Sequence, residues 1–209
     1  MSVRHAYDRW AANYDGDRNL TRDTDARAVR SLLGGRRFDA AIEAGCGTGK
    51  NTPFYASIAA ALTALDFSAE MLARARARVT EPHVTFAQHD LADPWPVRAG
   101  TADLVAFDLV LEHFESLDGV LGHAAAATRA GATLLVSELH PYKQLQGSQA
   151  RFATEAGEEK VAAYLHHASD FVRAADRAGF MLRALDEWWH ESETRALPPR
   201  LLTLAFERR

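Results

Sequence analysis

Short apolar runs alternate with polar, helix-prone stretches from residue 38 to the end of the chain. Phe38, Ala40, Ala41 and Ile42 form the first run, with few polar interruptions, as expected of a strand buried on both faces; Glu43 ends it. Pro53 is placed to open the following helix, with Asn51 or Thr52 as its cap. Residues 61–65, ending at Asp66, predict a second strand, residues 84–88 a third and residues 102–107 a fourth. The alanine-rich stretch 117–130 predicts a helix that Gly131 closes. Residues 132–138 predict a fifth strand, 169–178 a helix stopped by Gly179, and 180–188 and 200–207 two last strands. This alternation argues for an α/β fold around a parallel sheet, in which ligands gather at the carboxyl ends of the strands. Asp66, Asp90, Asp108 and Glu138 would all project there.

Between the first strand and its helix stand three alternate glycines, Gly45, Gly47 and Gly49. Glycine tolerates positive φ and lets another molecule approach its backbone, so this turn suits a bound ligand. The dinucleotide pattern G-x-G-x-x-G would need glycine where Lys50 stands. The phosphate-binding P-loop would need glycine at Ala44 and Ser or Thr at Asn51, so neither phosphate motif fits. Asp66 lies about twenty residues beyond the first glycine, where an acidic group accepts both hydroxyls of a ribose.

On these residues the chain resembles the class I S-adenosylmethionine-dependent methyltransferases, of the small-molecule, type 11-like kind. The glycine turn is similar to the first motif of that family, and Leu65, Asp66, Phe67 and Ser68 to its acidic second strand end, with Ser68 capping the next helix. His89, Asp90 and Leu91 are similar to the third strand end, whose acid bonds the adenine amine. Residues 108–113 are similar to the segment flanking the methionine part of the cofactor. Family members often carry Asn or a small polar residue where Asp108 stands; that aspartate faces either the cofactor's ammonium or the substrate. The resemblance implies a Rossmann-like, doubly wound, seven-stranded sheet, mostly parallel with an antiparallel last strand and helices on both faces. It implies S-adenosylmethionine as cofactor and S-adenosylhomocysteine as product. The cofactor-binding residues it implies are Tyr14, Glu43, Ala44, Gly45, Cys46, Gly47, Asp66, Phe67, Met71, Asp90, Leu91, Phe107, Asp108 and Leu109.

The chain has 209 residues with 47% hydrophobic content, enough to bury a sizeable core as a single domain without disulfides. The expected organisation is an N-terminal helical lid (1–35), a cofactor-binding half (36–138), a substrate cap (139–168) and a C-terminal helix with a strand pair (169–209). Cys46 is the one cysteine, and its place in the turn reads as a small filling side chain. No run of eighteen apolar residues occurs and no apolar run precedes Trp10, so neither a membrane span nor a signal peptide is expected, and the cytoplasm is the default compartment. A net charge of −4 argues against a nucleic-acid partner. Arg74, Arg76 and Arg78 do not share one helix face and read as a solvated surface. A monomer or a homodimer is expected.

Two outer regions are expected to choose the substrate. Tyr7, Trp10 and Tyr14 recur at helical spacing, either as a packing stripe or, for Tyr14, as a cofactor contact. The connection from Leu139 to about His167 carries Tyr142, Gln144, Gln146 and a Gly147-Ser148-Gln149 turn, as suits a lid. Trp10, Tyr142, Arg151 and His166 are the candidate substrate contacts, Arg151 because a planar guanidinium grips a carboxylate or phosphate. His113, beyond the fourth strand, is the first candidate for a base that takes a proton from the substrate, and His140 the second. Glu138, His140, His166 and His167 match no metal-site spacing, and no metal is expected. The reading is methyl transfer to an oxygen or nitrogen of a small molecule. The alternative is a non-catalytic sensor or scaffold that binds the same cofactor; a nicotinamide-dependent dehydrogenase is third.

Overall fold

The computed structural model describes residues 3–16, 19–154 and 157–209. Parts of the expected lid (1, 2, 17 and 18) and cap (155 and 156) therefore lie outside the described residues. Helices α1 (Val3–Trp10) and α2 (Leu20–Leu33) precede strand β1 (Phe38–Ala44). There follow α3 (Thr52–Ile58), β2 (Ala59–Asp66), α4 (Ala69–Arg78), β3 (Val84–Gln88) and β4 (Ala102–Asp108). A 3₁₀ turn (Leu111–His113) leads to α5 (Asp118–Ala127) and β5 (Thr128–Leu139). The connection beyond it holds α6 (Pro141–Leu145) and a small hairpin, β6 (Arg151–Thr154) with β7 (Gly157–Lys160). Helix α7 (Ala168–Arg177) and strands β8 (Phe180–Trp188) and β9 (Leu201–Arg208) complete the chain.

The main sheet has seven strands in the order β3-β2-β1-β4-β5-β9-β8. Pairings among β1 to β5 are parallel, and β9 runs antiparallel to both β5 and β8. Strand order reverses at β1, so the crevice between the ends of β1 and β4 is the site such a sheet offers a ligand. The strands read as continuous apolar runs because both faces are covered. Along β4, Leu104 and Ala106 pack with Val29, Leu33, Tyr55 and Ile58 from α2 and α3. Val105 and Phe107 point the other way, toward Leu121 of α5 and Phe171 of α7.

The boundary between α5 and β5 differs from the sequence expectation, and β2 begins at Ala59, two residues before the expected start. Helix α5 stops at Ala127 rather than Ala130, because the β-branched Thr128 turns into the strand and bonds back to the carbonyl of Ala124 (3.0 Å). Residues 129–132 then bulge between the pairings Ala102–Thr128 and Leu104–Thr133, with Gly131 at φ +76° inside the strand instead of behind the helix.

Helix α2 carries no motif, yet it is firmly started. The Asn19 side chain accepts hydrogen bonds from the backbone N–H groups of Thr21 and Arg22, both 3.0 Å. Asn19→Ala should lower stability by about 1 kcal/mol. Urea unfolding checks this, and an unchanged midpoint would show that packing alone holds the start of α2. The aromatic stripe is present, with ring centroids 5.8 Å apart for Tyr7 and Trp10 and 4.6 Å for Trp10 and Tyr14. Tyr14 reaches it from the turn after α1 rather than from the helix.

Candidate active site

The glycine turn is tied to the end of β2: the N–H groups of Gly45 and Cys46 both donate to the Leu65 carbonyl (2.8 and 2.9 Å). Gly45 has φ +85°, and a Cβ there would lie 2.6 Å from a methyl of Val110. Gly47 also has positive φ (+53°), but a Cβ on it would meet no atom within 4 Å. The first glycine is thus demanded by protein packing, whereas the second faces open space in a cavity. Asp66 accepts from the Gly47 N–H (2.8 Å) and the Ser68 N–H (2.9 Å), which fixes its carboxylate beside the turn. Burial pushes Asp66 up to about 6 despite those bonds.

Four elements bring carboxylates to the same cavity. Asp25, on α2, accepts from Ser137 Oγ (2.5 Å) and Asn51 Nδ2 (2.7 Å). Asp108, at the end of β4, accepts through Oδ2 from Tyr55 O–H (2.8 Å) and Asn51 Nδ2 (3.0 Å). Glu43 accepts from Thr52 Oγ1 (2.6 Å). Desolvation pushes Asp108 up to about 6 and holds Asp25 and Glu43 well above the usual carboxylate range. Among the described residues, Asp108 Oδ1 and Asn51 Oδ1 are out of solvent and accept no hydrogen bond. Two orphaned acceptors among crowded carboxylates suit a cationic, hydrogen-donating group such as an ammonium.

The segment after β4 forms the opposite wall. Leu109 adopts φ +58°, sparsely populated for a residue with a side chain. Glu138 Oε1 accepts from the N–H groups of Val110 (2.9 Å) and Leu111 (2.7 Å) and so holds the 3₁₀ turn that presents His113. His113 Nδ1 lies 2.9 Å from the Ala162 carbonyl, which only accepts, so Nδ1 carries the ring proton. In the neutral ring Nε2 is then an acceptor, and the Tyr7 hydroxyl, 2.8 Å away, donates to it. Burial holds the Tyr7 phenol well above its usual range, so it stays protonated.

Helix α1 and its following turn close over these groups. Arg4 pairs with Asp90 (3.1 Å), Ser68 Oγ donates to Asp8 (2.5 Å), and Asp15 takes Thr48 Oγ1 (2.9 Å) and Arg78 (2.5 Å). The cavity under the turn holds about 90 Å³. Asp66, Phe67, Val110 and His113 also line a second cavity of about 540 Å³ that contains Asp90 and Leu91. Tyr7, Tyr14, Arg22 and Leu109 also line a third, of about 330 Å³, bounded by the cap.

Of the expected residues, Tyr14, Glu43, Gly45, Cys46, Gly47, Asp66, Phe67, Met71, Asp108 and Leu109 line the first cavity. Ala44 and Phe107 line none of the three; their side chains alternate into the core, both at 0% exposure. Trp10 and Arg151 line the third cavity. Tyr142 points outward, 53% exposed, and His166, whose ring bonds the Phe114 carbonyl (2.7 Å), lines none of the three cavities. His140 is likewise not brought to the site. Its Nδ1 accepts from the Tyr142 N–H (3.1 Å), starting α6, and its Nε2 meets Glu187 (3.1 Å). Tyr7, Arg22, Asp25, Asn51 and Glu112 line the site without having been singled out for it. Asn51 was visible as a neighbour of the glycine turn, and Tyr7 as part of the stripe; Arg22 and Asp25 carried no signal. Among the described residues no group of three His, Cys, Asp or Glu could hold a metal, and no helix is long and apolar enough to cross a membrane.

A methyltransferase domain family model matches residues 42–136. An uncharacterized methyltransferase of Emericella nidulans is 30% identical over 87% of this chain and 76% of its own length. A malonyl-[acyl-carrier protein] O-methyltransferase of Enterobacter lignolyticus is 31% identical over 66% of this chain, which spans about half (54%) of that relative. The fold is that of the N-methyltransferase NodS of Bradyrhizobium japonicum solved with S-adenosylhomocysteine, with TM-score 0.76, 16% identity and coverage of 100% of this chain and 99% of that one. With the family model, the Emericella relative and the seven-stranded fold in agreement, the chain belongs to the class I S-adenosylmethionine-dependent methyltransferases.

Proposed function

We propose that this enzyme methylates an oxygen or nitrogen of a small molecule bound in the third cavity, between α1, α2 and the cap. One observation carries the reading: the third cavity shares Tyr7, Tyr14, Arg22 and Leu109 with the pocket under the glycine turn. Its volume of about 330 Å³ suits a small ligand. Relatives include an O-methyltransferase and a fold neighbour that is an N-methyltransferase. A net charge of −4 weighs against a nucleic-acid substrate. We read the chain as one methyltransferase domain, a monomer or homodimer working in the cytoplasm, with residues 1–35 as lid and 139–168 as cap.

Asp66 would hold the ribose hydroxyls, Asp90 the adenine amine once Arg4 yields it, and Asp108 with Asn51 the ammonium of the amino-acid tail. S-adenosylmethionine held by these residues would supply an electrophilic methyl group, with its sulfur taking back the electrons of the carbon–sulfur bond. Leu109 and Tyr14 narrow the passage and hold the acceptor atom near that methyl. The Tyr7 hydroxyl receives the proton that an acceptor O–H or N–H loses and passes its own to His113 Nε2. Tyr7 meets the acceptor, and His113 acts behind it.

An acceptor panel assayed for S-adenosylhomocysteine formation tests the reading. Cofactor binding with no turnover across hydroxyl, amine and carboxyl acceptors would reject it in favour of a sensor. Tyr7→Phe and His113→Asn should each lower kcat at least tenfold, with cofactor affinity held within a few-fold, and raised pH should restore part of the loss. Unchanged kcat in both would remove the proton route.

A further inference from the structure

The balance of charge differs between the first cavity and the third. Under the glycine turn Asp25, Glu43, Asp66 and Asp108 outnumber Arg22 and Lys50, and Lys50 is paired with Asp23 (2.7 Å). The charged side chains lining the third cavity are Arg22, Arg151, Arg200 and Glu112. Arg22 is 7% exposed, lies 4.2 Å over the Tyr14 ring and donates to the Tyr14 carbonyl at 2.5 Å, so its guanidinium is fixed at the junction. Arg200 is fixed by a two-pronged pair with Glu193 and by Thr21 (3.3 Å). Arg151 enters from the start of β6, on the cap. Glu112 accepts from Gln144 Nε2 (3.0 Å), and burial raises it toward its neutral acid.

Resting on the small-molecule reading above, we propose that the acceptor is an acid, its carboxylate or phosphate held by the arginine wall of the third cavity and its separate hydroxyl or amine nucleophile at Tyr7. A guanidinium presents paired donors that match both oxyanions, and such charge-assisted bonds are stronger than neutral ones, most of all at the buried Arg22. An anionic acceptor is also drawn toward a cationic methyl donor, whereas a cationic one would face three guanidiniums. Arg151 is the specificity-determining residue, because it belongs to the cap and lines the acceptor cavity alone. The bond formed is acceptor atom to methyl carbon, the one broken is methyl carbon to sulfur, and the acceptor proton leaves through Tyr7, so the acid group itself is unchanged.

The test sets hydroxy- and amino-carboxylates and phosphate monoesters against their neutral amide, ester or alcohol counterparts. Each is measured by calorimetry on the S-adenosylhomocysteine-loaded protein and by turnover. Acids should bind and react at least tenfold better than their neutral counterparts, and Arg151→Met should raise KM for the acids about tenfold without moving S-adenosylhomocysteine affinity. Whether carboxylates or phosphates show the larger preference identifies the oxyanion. Neutral compounds used as well as the acids, or Arg151→Met weakening both sets alike, would overturn the proposal and leave the small-molecule reading standing. No turnover and no binding in either set, with S-adenosylhomocysteine still bound, would sink that reading and this one together.

Discussion

Alanine at Gly45 should cost about 3 to 4 kcal/mol of stability, whereas alanine at Gly47 should cost about 1 kcal/mol and instead weaken cofactor binding about tenfold to a hundredfold. The two positions differ in what surrounds them. At Gly45 a left-handed backbone (φ +85°) costs an alanine about 1–2 kcal/mol, and its Cβ would lie 2.6 Å from Val110 Cγ2, forcing β4's exit segment away from the turn. That segment carries Leu109 and leads into the turn that presents His113, so the site would shift with it. At Gly47 the backbone strain is similar in kind, but no protein atom stands within 4 Å of the added carbon. The methyl group would occupy cavity space proposed to take the nucleoside. Urea unfolding separates the two stabilities, and calorimetry with S-adenosylhomocysteine reads the affinity. A Gly47→Ala protein that binds S-adenosylhomocysteine like the parent would show that the cofactor does not pass over this residue.

Asp108→Asn should make the cofactor-free protein more stable at pH 8 by about 2 kcal/mol and weaken cofactor binding roughly thirtyfold. Desolvation raises Asp108 from 3.8 to about 6, so folding favours its protonated form. The stability from that preference is fully present below pH 3.8 and is lost as pH rises through 6, a difference of about 3 kcal/mol across the window. Asparagine removes the charge and, with its amide oxygen at the Oδ2 position, keeps the bonds from Tyr55 and Asn51. It leaves a buried N–H in place of Oδ1, which offsets part of the gain. The same change deletes the negative charge proposed to face the ammonium. Melting curves without S-adenosylhomocysteine should therefore show the variant ahead of the parent at pH 8 and the two converging at pH 5, and saturating S-adenosylhomocysteine should remove most of the variant's lead at pH 8. A variant less stable than the parent at pH 8, or one that binds S-adenosylhomocysteine equally well, would contradict the assignment.

The carboxylate cluster also shows why the site was only partly legible. Glu43, Gly45 and Gly47 were legible because they sit within a contiguous motif whose backbone conformation is local, and Asp66 because it ends the next apolar run, about twenty residues beyond the first glycine. Asp108 was found by its place at a strand end. Asp25 and Ser137, by contrast, are 112 residues apart and meet at 2.5 Å, and Tyr7 and His113 are 106 apart and meet at 2.8 Å. Nothing in the helical stretch Leu20–Leu33 distinguishes Arg22 and Asp25 from solvated helix charges, yet both are buried, at 7% and 3% exposure. His140 illustrates the converse, since it stands at the end of β5 as expected but its ring is spent on starting α6 and on Glu187.

The sequence by itself determined the succession of the seven main-sheet strands and the glycine turn, which rest on residue periodicity or on backbone conformations that neighbouring residues impose on one another. It pointed to the cofactor through the family resemblance of its motifs. Only the tertiary structure decided which charges line the third cavity, that Tyr7 meets His113, and that α5 gives way to strand three residues early. Those outcomes depend on packing and desolvation between segments distant along the chain, where a side chain's meaning comes from what it faces rather than from what precedes it.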